Sequence, residues 1–136
     1  MAEVTPTDRE LEALKVLWAR GRATVREVYQ EMSPRQGELA YTTVLSLLQT
    51  MERKGLVGHE PAGKGYAYFA KVRRDSVFRR LAGGFLERVF DGAMDEYVAR
   101  AIQSKKPSVA ELEELERMIA AAKQKARGQS GKESQP

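Results

Sequence analysis

Glu38–Gly55, ELAYTTVLSLLQTMERKG, is the stretch whose reading decides the fold of this chain. Ala40, Val44, Leu47, Leu48 and Met51 recur at three- and four-residue intervals, which makes one apolar stripe along a helix. Thr42, Thr43, Ser46, Gln49, Thr50 and Arg53 fall on the other side. A merely solvated helix face carries Glu and Lys, which are better helix formers than Thr and Ser. Short hydroxyl groups there cost some propensity, and close packing against something such as a DNA groove would explain the cost. The plainer alternative is a surface helix of no special use. The stretch taken alone does not separate the two.

Its neighbours do. Upstream, Thr7 is an N-cap with Glu10 three residues on, a capping box, and Asp8 and Glu10 favour the positive end of the helix dipole. Leu11, Leu14, Leu17 and Trp18 form the stripe of this first helix, with Trp18 in the core, and Gly21 stops it. Thr24 and Glu27 form a second capping box, and Val25, Val28, Tyr29 and Met32 point one way. Ser33-Pro34 is expected to end this second helix, because a residue before proline is pushed out of helical geometry. Arg35-Gln36-Gly37 then makes the turn, and the third helix runs from about Glu38 to Lys54-Gly55. A short helix, a turn and a longer helix in that order is a helix-turn-helix pattern.

Downstream, Leu56–Glu60 and Tyr66–Ala70 read as two strands around the turn chemistry of Pro61-Ala-Gly-Lys-Gly65. A hairpin directly after a recognition-type helix is the wing of a winged helix. Lys64 at its tip would reach a phosphate backbone or a minor groove; the plainer reading is a surface hairpin with a solubilising lysine.

From Arg73 the period is helical again. Val77, Phe78, Leu81, Phe85, Leu86, Val89 and Phe90 are apolar, with Gly83-Gly84 expected to interrupt or bend the helix. Met94, Tyr97, Val98, Ala101 and Ile102 continue the stripe until Ser104-Lys-Lys-Pro107 breaks it. Ser108 and Glu111 form a third capping box before Leu112, Leu115, Met118, Ile119 and Ala122. The polar end from Lys123 is expected to be frayed or disordered. Helices this thin in core must bury their stripes on something, and a second copy of the chain is the simplest partner; packing back onto the N-terminal domain is the alternative. The expected layout is therefore mainly α with a small β wing: a winged helix-turn-helix domain over 1–72, a helical dimerisation arm over 73–122, and a polar tail over 123–136.

Composition narrows the function classes. The 136 residues suffice for one ordinary domain, or a small domain with an oligomerisation arm. No apolar run approaches the roughly 18 residues of a membrane span. No signal peptide is expected of the acid-bearing N-terminus, and the cytoplasm is the expected compartment. With no cysteine, disulfides, thiolate metal sites and cysteine nucleophiles are excluded. Between Ser33 and Arg74 seven basic residues face three acids, so this segment alone holds the +4 net charge of the whole chain.

The segments TPTDRELEALKVLWARGRATVREVYQEM, AYTTVLSLLQTMERKGLV and GKGYAYFA, in this order, resemble the penicillinase-repressor family of BlaI/MecI-type transcriptional regulators. The resemblance is close from Leu11 to Ala70 and looser through the helical half, where AELEELERMI resembles the family's last helix. It implies a winged-helix DNA-binding domain followed by a helical dimerisation domain. It also implies a homodimer that binds a palindromic operator and blocks transcription, commonly of a beta-lactamase or other resistance operon. Some members are inactivated when a membrane sensor-protease signals cleavage in the dimerisation helices. That place falls near Arg100-Ala101 here, where the best-known members have Asn-Phe. A related branch responds to copper through Cys-x-Cys pairs, a mechanism closed to a chain without cysteine.

Residue types suggest the roles. Thr42, Thr43 and Ser46 lie near the start of the third helix, the end that enters the major groove, and Gln49 could reach a base edge, preferably adenine. Arg26, Arg35, Arg53, Lys54 and Lys64 would neutralise phosphates; the ring of Tyr41 would pack on the domain while its hydroxyl reaches a phosphate. Five such cations per protomer of a dimer set an upper limit on the salt dependence, a slope on the order of minus nine. Phe78, Leu81, Phe85, Val89, Phe90, Met94, Val98, Ile102, Leu112, Leu115, Met118 and Ile119 are the expected dimer interface. No cofactor, metal or catalytic constellation is expected. His59 is the only histidine and has no carboxylate at metal-ligand spacing, and Gly63-Lys-Gly65 is too short for a phosphate-binding loop. Two competing readings are a protein-interaction module and a ligand sensor using Phe85, Phe90 and Tyr97. The first would need apolar residues on the outer face of the third helix, where this chain has hydroxyls.

Overall fold

The computed structural model describes residues 4–36 and 39–133, the side chains of 34–36 and 130–133 excepted. In chain order the elements are α1 (Asp8–Arg20), β1 (Ala23–Thr24), α2 (Val25–Gln36), α3 (Tyr41–Arg53), β2 (Val57–Ala62), β3 (Gly65–Ala70), α4 (Arg74–Phe90), α5 (Met94–Lys105) and α6 (Val109–Glu133). They fall into two compact units, residues 1–85 and 86–136.

The first unit is built on three helices and a three-stranded sheet of order β1-β3-β2, antiparallel throughout. Leu14 and Leu17 of α1, Val28 and Met32 of α2, Val44, Leu48 and Met51 of α3, and Leu56 and Val57 at the start of the wing share one core. Each such side chain, taken from water, contributes roughly 1.5–3 kcal/mol before conformational entropy is set against it. The first two capping boxes form as the sequence implies. Thr7 Oγ1 accepts from the Glu10 N–H at 3.2 Å, and Thr24 Oγ1 accepts from the Glu27 N–H at 3.2 Å, each returned by the glutamate to the cap's own N–H.

The end of α3 fixes where the wing begins. Gly55 sits at φ 83°, its N–H donates to the Glu52 carbonyl, and the Leu56 N–H reaches back to the Met51 carbonyl at 2.9 Å. This pair of bonds around a left-handed glycine is a Schellman motif, and it turns the chain so that Leu56 is buried as Met51 is. β2 and β3 then pair from Val57↔Ala70 to Ala62↔Gly65, leaving the two-residue loop Gly63-Lys64. Gly63 takes φ 61°, the left-handed geometry that the first loop position of a type II′ hairpin requires.

Several boundaries differ from the sequence-based expectations. α2 does not stop at Ser33-Pro34 but runs to Gln36; the missing N–H of Pro34 costs the helix only the single bond to the Gln30 carbonyl, in its last turns. α3 starts at Tyr41 rather than about Glu38, and Ala40 is its exposed N-cap, not part of the buried stripe. Gly37 and Glu38 lie outside the described residues. β1 was not expected at all: two residues have no period to detect, and only pairing with Tyr68 and Ala67 defines the strand.

The larger differences lie beyond the wing. Gly83-Gly84 does not interrupt α4, which is continuous from Arg74 to Phe90. The break comes at Asp91-Gly92, at φ 51° and 82°, where the Gly92 N–H donates to the Leu86 carbonyl at 3.1 Å. The first turns of α4 belong to the winged-helix unit: Val77 is buried, the Phe78 ring meets Trp18 edge-on at 5.8 Å, and Trp18 Nε1 donates to the Val72 carbonyl at 3.0 Å. The compact units therefore divide after Phe85, inside α4, and not at 72/73.

In the second unit α5 ends on Lys106, whose left-handed backbone (φ 47°) precedes Pro107, and the third capping box opens α6. α6 continues through Lys123, where the sequence led us to expect a polar tail, to Glu133. Ala121, Ala122, Lys123, Gln124, Lys125, Ala126 and Arg127 are strong helix formers, and they outweigh Gly128. None of the described residues of α5 or α6 is buried within the chain.

Candidate nucleic-acid interface

α3 turns Val44, Leu48 and Met51 into the core, and that rotation leaves Thr42, Thr43, Ser46 and Gln49 exposed on one outward face. The start of α3 has no side-chain cap and no acid in its first turn, so its N–H groups and the positive end of its dipole suit an anion. The Tyr41 ring packs edge-on against Tyr29 at 5.7 Å, and the Arg26 guanidinium lies 5.5 Å from the Tyr41 ring centre. This stack carries a fixed cation from α2 to the first turn of α3. Arg53, at the other end, donates to Thr50 Oγ1 at 3.0 Å and remains exposed. Lys64 is exposed at the wing tip. The side chain of Arg35 lies outside the described residues.

Lys54 is placed differently from the expectation. Its Nζ lies 2.8 and 3.0 Å from the two carboxylate oxygens of Glu10, a residue only 2% exposed. The phosphate role expected of Lys54 does not fit this geometry, since its charge compensates a buried acid. Burial pushes the Glu10 carboxyl up, but hydrogen bonds from Lys54 and from the Thr7 backbone outweigh it and hold its pKa below the ordinary carboxylate value.

Between α3 and the wing lies an open cleft of about 530 Å³, lined by Arg26, Tyr41, Leu45, Gln49 and Glu52 on the helical side and His59, Tyr66 and Tyr68 on the wing. His59 Nδ1 sits 2.7 and 2.8 Å from the Glu52 carboxylate, and its ring meets Tyr66 edge-on at 5.0 Å. Tyr68 is buried beneath, and burial followed by the Glu52 charge raises its phenol pKa. Arg22 reaches across from the loop before β1 to Glu60 on β2 at 2.6 Å. Residue-by-residue reading of the sequence missed Glu52 and Tyr66 as members of this surface. Strand alternation puts His59, Pro61, Tyr66 and Tyr68 on one sheet face, and that was the available signal.

The residues expected at a dimer interface do not share one environment. Phe78 is taken by Trp18 inside the first unit, with the Arg74 guanidinium 4.5 Å above its ring. Leu81 is half-buried and Phe85 exposed in the same unit. In the second unit Val89 is exposed, and Phe90 stacks on Tyr97 at 5.3 Å. Met94, Val98, Ile102, Leu112, Leu115, Met118 and Ile119 line one apolar groove of about 760 Å³ between α5 and α6. Arg100 and Ala101 are exposed on α5. Among the described residues no cluster of His, Asp or Glu could hold a metal ion, and no helix is long and apolar enough to cross a membrane.

The family model described as penicillinase repressor matches residues 6–121. The chain is similar to the penicillinase repressor of Bacillus licheniformis, 24% identical over 113 residues that span 83% of this chain and 88% of that protein. It is also similar to the methicillin resistance regulatory protein MecI of Staphylococcus aureus (strain N315), 20% identical over 110 residues, 81% of this chain and 89% of that protein. The transcriptional regulator BlaI of Mycobacterium tuberculosis (strain CDC 1551 / Oshkosh) is 35% identical over 83 residues, 60% of this chain and 59% of that protein.

Proposed function

The chain belongs to the penicillinase repressor family, and from that premise we propose that it is a DNA-binding transcriptional repressor that binds a palindromic operator as a homodimer. The observation that carries the DNA-binding reading is the outward face of α3. Thr42, Thr43, Ser46 and Gln49 are exposed there, flanked by Arg26 at one end, Arg53 at the other and Lys64 on the wing. In this reading the hydroxyls and the amide read base edges. The cations and the Tyr41 hydroxyl hold the phosphates that fix register. The same polar face disfavours a protein-interaction module, which would present apolar side chains.

The homodimer reading rests on the apolar groove between α5 and α6. Met94 and Met118 are 63% and 57% exposed in the single chain, too much apolar surface in one place to leave in water. A two-fold pairing of that face would present two α3 helices to two half-sites. A repressor of this kind works in the cytoplasm, on an operator of a beta-lactamase or other resistance operon. Arg100-Ala101, exposed on α5, is where an associated protease would act.

The test is a mobility shift on a palindrome from the promoter region of the chain's own gene, against a scrambled duplex. Selective binding that is lost on combining Thr43→Ala with Arg53→Ala supports the reading. Binding indifferent to sequence, or untouched by that pair, sinks it.

A further inference from the structure

Tyr66 stands 58% exposed on β3, two residues past Lys64 at the wing tip. A single exposed ring is ordinary on a protein surface. This one differs in how it is held and in where it faces. The strand register sets His59 opposite Tyr68 and Pro61 opposite Tyr66, so His59 and Tyr66 are diagonal neighbours on one sheet face. The Tyr66 ring meets the imidazole edge-on at 5.0 Å. The imidazole is fixed in turn. Its Nδ1 lies 2.7 Å from the carboxylate of Glu52 in the last turn of α3. A carboxylate offers only acceptors, so Nδ1 donates. Tyr66 and Gln49 line the same cleft, which puts the ring on the side of the wing that faces the candidate base-reading helix.

We propose that Tyr66 is a contact of the wing to the DNA backbone, and that His59, itself held by Glu52, is the positioning residue for its ring. This rests on the DNA-binding reading above. Tyrosine has an apolar body and a polar end: the ring covers a deoxyribose while the phenol O–H donates to a phosphate oxygen. A ring already pinned against His59 has little freedom left to lose on binding, which favours the contact. Unlike Lys64, a phenol carries no positive charge to displace a counterion, so it adds affinity without adding salt dependence. Its contribution is the same on any sequence, because a phosphate carries no base identity.

The test uses fluorescence anisotropy of the full chain across a salt series, with a duplex of about 30 base pairs from the chain's own promoter region and a scrambled duplex as probes. Tyr66→Ala should weaken binding to both duplexes by a similar factor, roughly fivefold or more. The slope of log affinity against log salt should stay as in the wild type, whereas losing a lysine on phosphate lowers it by about one. Tyr66→Phe, which keeps the ring packing, should lose the hydroxyl's share on both duplexes. In a double-mutant cycle, Tyr66→Ala should cost less in a His59→Ala background than in the wild type, a coupling in DNA affinity that a purely structural His59 would not produce. A Tyr66→Ala or Tyr66→Phe variant that binds as the wild type does, a loss confined to the promoter duplex, a changed salt slope or an additive cycle overturns the proposal and leaves the DNA-binding reading standing. If the wild type binds neither duplex, that reading falls and this inference with it.

Discussion

Lys54 and Glu10, far apart in sequence, meet where the end of α3 crosses the start of α1, with Nζ 2.8 Å from a carboxylate that is almost fully buried. Glu10 also closes the capping box with Thr7. One acid thus satisfies the first turn of α1 and anchors the last turn of the helix that carries the candidate base-reading face.

Lys54→Met should destabilise the first unit by about 2–3 kcal/mol. That is somewhat less than the ~3–5 kcal/mol of breaking a fully buried pair, because the lysine side chain is 33% exposed. Urea denaturation measures the loss. The salt slope of DNA binding should not change, whereas a lysine on phosphate would lower it by about one.

The same pair sets an acid limit. The Glu10 pKa is depressed in the folded chain, first by Lys54 and Thr7 acting against the opposing effect of burial. Its contribution is therefore fully present above the unfolded carboxylate pKa of about 4.3 and is lost as pH falls through the lower folded value. Thermal melts from about pH 6 to pH 2 should show a shallower acid decline in Glu10→Gln than in the wild type. An unchanged decline would remove Glu10 from the account.

Gly83→Ala should stabilise the chain by about 0.5–1 kcal/mol. Gly83 lies within the continuous α4, its backbone is not left-handed, and a methyl group added there meets no atom within 4 Å. Gly55→Ala has the opposite sign: φ 83° suits only glycine comfortably, and the loss should be about 1 kcal/mol or more, with no contact removed. Calorimetric melts of the two variants decide both. A lower Tm for Gly83→Ala would mean that α4 is not a plain helix there.

Leu115→Asp together with Val98→Asp tests the groove between α5 and α6. Analytical ultracentrifugation at micromolar concentration should show dimers for the wild type and monomers for the variant. Affinity for a two-half-site duplex should fall at least about tenfold, because the second half-site contact is no longer intramolecular. A monomeric wild type would refute the pairing.

Much of the first unit was determined by the sequence alone, because its signals are local. A capping box needs two residues three apart, so Thr7 and Thr24 marked two helix starts there correctly, as Ser108 did in the second unit. A stripe of period 3.6 told which side of α3 is buried, and hence that Thr42, Thr43, Ser46 and Gln49 face out. A glycine-lysine-glycine run between two strands gave the wing.

Tertiary structure decided the rest, because those features depend on which distant groups meet. β1 exists only through Tyr68 and Ala67. Gly83-Gly84 is helical although both glycines oppose it locally, while the break falls at Asp91-Gly92. Phe78 and Lys54 were read from residue type as interface and phosphate contacts; Trp18 and Glu10 claim them instead. His59 had no carboxylate at suggestive spacing, yet the chain reversal at Gly55 brings Glu52 to 2.7 Å. Periodicity reports which face of an element is apolar; only the packed chain fixes which charge meets which, since ion pairs are chosen by distance in space and not along the sequence.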